Sequence, residues 1–90
     1  MVQLVSITLL DTGDGRSILE AIKKDNPGIT IMEMPGATKI DREDRLVVNR
    51  ETVSECMGRD WDPQELHLAL ISMAGNLDED DDYFALSWNR

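Results

Sequence analysis

Few side chains in this chain can do chemistry, and their spacing limits what that chemistry could be. Cys56 is the one cysteine and His67 the one histidine, and neither has a base, nucleophile or acid at triad-like spacing. Nucleophilic and general-base catalysis therefore lack their partner groups. Cys56, with Val53 and Met57 near it, reads as a core thiol, and His67 beside an apolar face reads as a packed, hydrogen-bonded side chain. Gly13 and Gly15 fall between a strand-like run and a helix, where a phosphate loop would lie. The third glycine is missing, however, and Asp11 and Asp14 occupy the turn. Asp78, Asp80 and Asp82 match the first three ligand positions of an EF-hand, but Tyr83 stands where Gly is required and Asn89 where Glu is required. That stretch reads as a solvated acidic turn. No ligand set for iron or zinc is present, so the expectation is no catalytic residue, no metal and no cofactor.

Composition narrows the partners. The chain has 90 residues, which make one domain with a modest core and little room for a deep enclosed active site. Eighteen acidic residues against nine basic ones give a net charge of −9. Such a field repels nucleic acid and anionic membranes and favours a basic protein surface. Aromatic residues are 4% of the chain, too few for a base-stacking platform. No apolar run approaches the ~18 residues needed to span a bilayer, no secretory signal opens the chain, and the lone cysteine fits a reducing compartment. The expected location is the cytoplasm and the expected partner is a protein.

These residues need elements to carry them. Residues 2–10 alternate, with Val5, Ile7 and Leu9 on one face and Ser6 and Thr8 on the other, as in a half-buried strand. A helix is expected from about Arg16 to Asp25, with Ser17 and Glu20 at capping-box spacing, stopped by Asn26-Pro27-Gly28. Strands at 29–34 and 37–41 around Pro35-Gly36 form a hairpin in which Met32 and Met34 share a face, either as core fillers or as an adaptable contact surface. The charged run 41–45 reads as a solvated connection, 46–48 as a strand, and Asn49 as the cap of a helix ending at Gly58. Trp61–Asn76 reads as a central helix, opened by Asp62, Pro63 and Glu65 and closed by Gly75 and Asn76. Its Gln64, Glu65, Leu68, Ser72 and Gly75 would form one stripe, either an ordinary surface or a place for a partner. An acidic loop over 77–82 and a last strand at 83–88, with Phe84, Leu86 and Trp88 on one face, complete the chain. The expected fold is α+β: one small domain, mainly antiparallel sheet packed by helices in the order β-α-β-β-β-α-α-β, in two βα halves of about 1–43 and 44–90.

Three stretches, AIKKDNPGITIMEMPGATKID, RLVVNRETV and WDPQELHLALISMAGNLDEDDDYFALSWN, carry a resemblance spanning nearly the whole chain. It resembles the small regulatory, or effector, proteins of bacterial multicomponent di-iron monooxygenases, especially those of phenol hydroxylases. The long N-terminal extension of the methane-oxidising member is not seen, which points to the aromatic-hydroxylating branch. The resemblance implies a cofactor-free protein that docks on the large subunit of the di-iron hydroxylase and regulates access of substrate, oxygen and electrons. It also implies association with a reductase in the same pathway. Taken with the stripe, whose exposed leucine and small residues would let a partner approach closely, it suggests Leu68, Ser72, Gly75 and Asn76 as docking residues, with Met32 and Met34 as neighbours on the hairpin. The residues alone leave a second class open, an acidic module that blocks a basic, nucleic-acid-binding protein surface.

Overall fold

The computed structural model describes residues 3–88. Two antiparallel sheets enclose one core. The first orders its strands β2-β3-β1-β5, from β1 (Leu4–Leu10), β2 (Thr30–Met34), β3 (Ala37–Glu43) and β5 (Leu70–Ala74). The second orders β4 (Arg45–Asn49), β7 (Tyr83–Ser87) and β6 (Asn76–Glu79) as β4-β7-β6. Helices α1 (Gly13–Asp25) and α2 (Arg50–Met57) pack on one another, and a 3-10 turn (Pro63–Glu65) runs into the one-turn helix α3 (Leu66–Ala69). The α+β class and the expected order run through the molecule, with two further strands between the last helix and β7.

The core is built by alternation. Val5, Ile7 and Leu9 of β1 and Ile40 of β3 face inward from the first sheet, and Leu46, Val48, Phe84 and Leu86 face them from the second. Ile18, Ala21 and Ile22 of α1, with Val53, Trp61 and Leu66, fill the remaining space. Burial of this much branched apolar surface supplies the main drive to fold.

Several boundaries differ from expectation, each for a physical reason. The helix expected over 61–76 stops at Ala69, because Leu70 turns to an extended backbone (φ −86°, ψ 126°) and 70–74 pair with β1. The same apolar residues satisfy a period of 2 as well as one of 3.6, and the free edge of β1 decides between them. Residues 77–79 belong to β6, not to a loop: successive acids in an extended strand point to opposite faces, so the repulsion that argues against a helix is relieved. The charged run 41–45 is not a solvated connection either. β3 continues to Glu43, β4 begins at Arg45, and only Asp44, with φ 69°, lies between them. Helix α1 starts three residues early because Thr12 caps it, its Oγ1 accepting from the Gly15 amide at 3.1 Å. Gly15 packs so closely on the end of β1 that a Cβ there would lie 2.0 Å from the Leu10 carbonyl oxygen. That accounts for the second glycine of the Gly13-x-Gly15 pair without a phosphate.

Candidate partner-docking surface

The register of the first sheet brings together residues far apart in sequence. Met32 pairs with Lys39, Lys39 with Thr8 and Thr8 with Ser72, so these four side chains form one row across all four strands. A second row runs Met34, Ala37, Leu10. Both rows lie on the face opposite Ile7 and Ile40, which point into the core. Met32 is 56% exposed and Met34 39%. They therefore lie on the surface and are not core fillers, and with Ser72 they share one sheet face. In a third row, Asp41 accepts a hydrogen bond from the Ser6 hydroxyl and lies 3.8 Å from the Lys39 ammonium. The outward face thus carries hydroxyls, thioethers and a neutralised ion pair.

The other expected contact residues are placed differently. Leu68 stands on α3 with 79% of its surface exposed, on the element that leads into β5. No helical stripe joins it to Ser72, since the helix has ended between them. Ile71, half exposed, occupies a β-bulge where the pairing of β1 with β5 shifts between Thr8 and Leu9; bulges re-aim side chains in this way. Gly75 is a crossing point. At φ 136° the chain leaves the first sheet for the second, and a Cβ there would lie 3.1 Å from Val5 Cγ1. Asn76 opens β6, exposed, with its Nδ2 donating to the Trp88 carbonyl at 3.4 Å. Sequence reasoning does not single out Leu10 and Lys39, which line this face, whereas Thr8, on the polar side of the alternation over 2–10, is buried between its strand neighbours.

The remaining polar groups hold the frame. Asp62 and Glu65, read as the opening of a helix, form a capping box, and the Arg59 guanidinium, 3.0 Å from Glu65 Oε1, together with the Asp62 amide holds the Glu65 carboxyl below its usual range. Arg50, whose pKa is raised chiefly by its hydrogen bond to Asp60, donates from Nη1 to the Asp81 carbonyl and from its amide to the Asp82 carbonyl. It fastens the acidic turn to the start of α2. Tyr83 donates to Asp78 at 3.1 Å, and that carboxylate raises the phenol's pKa. His67 Nε2 lies 3.2 Å from Glu79 and its ring meets Phe84 edge-on at 5.8 Å; it is hydrogen-bonded as its isolation suggested, but exposed and not packed in the core. Cys56 is half-buried against the core. Among the described residues no three His, Cys, Asp or Glu side chains converge as metal ligands.

The family model that describes MmoB and DmpM proteins matches residues 3–87. The chain belongs to the MmoB/DmpM family. It is 44% identical over its full length, and over the full length of that relative, to the phenol 2-monooxygenase stimulatory component DmpM of Pseudomonas sp. (strain CF600). A chain from a phenol hydroxylase–regulatory protein complex superposes with a TM-score of 0.92 at 50% identity, covering 97% of this chain and all of that one. A chain from a second such complex gives 0.88 at 46% identity, covering 96% and 100%.

Proposed function

We propose that this MmoB/DmpM protein is the effector of a multicomponent phenol hydroxylase, acting in the cytoplasm without catalytic residues or a cofactor of its own. The observation that carries the reading is the match to a stimulatory component over the full length of both chains, and to a chain of a phenol hydroxylase–regulatory protein complex over 97% of this chain and all of that one. The effector binds the large subunit of the hydroxylase and regulates access of substrate, oxygen and electrons, working in one system with a reductase. A bound protein does this only by favouring one hydroxylase conformation, and a hundredfold bias takes about 2.7 kcal/mol of differential affinity. An interface of ordinary size can supply that. Leu68, Ser72, Met32 and Met34 contribute contacts in this reading, while Gly75 and Asn76 support them by fixing where the chain crosses between sheets.

The test is reconstitution. Purified protein added to a phenol hydroxylase and its reductase should raise turnover and the fraction of reductant recovered as hydroxylated product. No stimulation at any ratio overturns the assignment.

A further inference from the structure

Resting on that reading, we infer that Met32 and Met34 are oxidation sites through which hydrogen peroxide switches the effector off, as methionine sulfoxides that a sulfoxide reductase reverses. Access separates the methionines. Of the five in the chain, Met1 lies outside the described residues, Met57 is half-buried against the core, and Met32 is the most exposed. Met32 and Met34 stand two residues apart on β2, the outermost strand of its sheet, so both thioethers reach one face from a sheet edge. Met73 is nearly as exposed as Met34, but it stands on β5 at the opposite edge and pairs with Ile7, which points inward. It is therefore not a member of the rows that hold Met32 and Met34.

The chemistry is a two-electron oxygen transfer. The sulfur lone pair attacks one peroxide oxygen, the S–O bond forms as the O–O bond breaks, and the departing hydroxide takes the proton of the transferred hydroxyl and leaves as water. Sulfur is oxidised by two electrons and peroxide is reduced by two. The oxidant follows from the reading itself. Oxygen that takes two electrons and two protons from the reductant, without hydroxylating a substrate, becomes hydrogen peroxide. Effector molecules that are not seated on the hydroxylase meet it with both thioethers in solvent.

The product differs from the thioether in kind. A thioether is apolar and flexible, whereas its sulfoxide is polar, chiral and a much stronger hydrogen-bond acceptor. Lys39 stands directly across from Met32 in the register, with the two Cβ atoms about 5 Å apart, so its ammonium is within reach of the new oxygen. The pair would hold the sulfoxide in the same row as Ser72. Seating that row on a partner then strips water from an S–O dipole, a cost that the thioether does not carry. Peroxide from unproductive turnover thus withdraws the protein that promotes turnover.

The test treats the full-length protein alone with hydrogen peroxide, removes the excess with catalase, and adds the protein to untreated hydroxylase and reductase. Peptide mass spectrometry should place the first added oxygens on Met32 and Met34, at peroxide levels that leave Met57 a thioether and the thermal melt unchanged. Affinity for the hydroxylase should fall about tenfold or more, and methionine sulfoxide reductases A and B, one for each epimer, should restore it. That reversal needs no substitution, so it decides the matter even where a variant folds poorly. Cys56→Ala and Met73→Leu should lose stimulation on peroxide treatment as wild type does. First oxygens on other residues overturn the inference, and so does wild type that is converted at Met32 and Met34 yet binds as before. A loss that the reductases do not reverse, or that Cys56→Ala or Met73→Leu prevents, overturns it equally. All of these outcomes leave the effector reading intact, because untreated protein still stimulates. Untreated protein that neither binds nor stimulates overturns the effector reading itself, and the switch falls with it.

Discussion

Asn26 does more than end a helix. Its side chain, 1% exposed, donates from Nδ2 to the Val47 carbonyl at 2.8 Å and accepts the Val47 amide at Oδ1 at 2.9 Å. One carboxamide thus imitates a neighbouring strand along the edge of β4, while Arg42 braces it through Pro27 and Arg45 carbonyls. Asn26→Leu keeps the volume but strands both backbone groups of Val47, so it should cost on the order of 2–4 kcal/mol in urea unfolding. Reading Asn26-Pro27-Gly28 as a stop identified the turn but not this bond, which joins residues 21 apart in sequence. Leu68 behaves differently. With most of its surface in water, Leu68→Asp should move stability by no more than about 0.5 kcal/mol, yet cost about 2 kcal/mol or more in hydroxylase binding if the side chain is desolvated there. Titration calorimetry beside a thermal melt separates the two, and unchanged affinity removes Leu68 from the interface.

At the scale of elements, local signals fared unevenly: Ser17 and Glu20 have capping-box spacing, yet Thr12 caps α1 and Ser17 lies inside the helix, its hydroxyl donating to the Gly13 carbonyl. Asp62-Pro63-x-Glu65 names a helix start because every group in it lies within four residues, and the helix does start there, with Asp62 and Glu65 closing a capping box. The same stretch could not announce its own end at Ala69, since that depends on the unpaired edge of β1, about sixty residues upstream in the register Thr8 to Ser72. The candidate site shared this fate: Met32 and Ser72 were named from different arguments, and only the strand order β2-β3-β1-β5 sets them in one row. The capping box yields a pH prediction. Glu65 has its carboxyl lowered in the folded state, first by Arg59 and then by the Asp62 amide. Its contribution is therefore complete above the unfolded value of about 4.3 and is lost as pH falls through the lower folded value. Glu65→Gln keeps an oxygen for the cap but removes the charge. The melting temperatures of wild type and variant should differ near neutral pH and converge on acidification; a gap that widens toward acid contradicts the assignment.

For the whole molecule, net charge competes with packing. Exposed pairs such as Arg16–Asp11 and Lys23–Glu20 contribute little individually, and nine acids remain in excess. The molecule measures 39 × 31 × 21 Å. At ~0.01 M salt the screening length is about 30 Å, so acids on opposite sides repel one another; at ~0.15 M it is about 8 Å, and only neighbours do. Self-repulsion destabilises the compact chain more than the expanded one. The melting temperature should therefore climb with sodium chloride over that range and then flatten. Calcium chloride offers a sharper comparison, because the turn at 80–82 adjoins Asp78 and Glu79 and would concentrate a cation if it formed a cage. Instead Asp80 caps its own turn, its Oδ1 accepting from the Asp82 amide and its amide donating to the Tyr83 carbonyl, while Tyr83 holds Asp78. Those carboxylates are aimed by hydrogen bonds within the hairpin, and the loop lacks the Gly and bidentate Glu that close an EF-hand. Calcium should then act only through screening, giving nearly the sodium curve when the two are compared at equal ionic strength. A rise in melting temperature that saturates at micromolar calcium would mean that the turn gathers its acids around a specific ion.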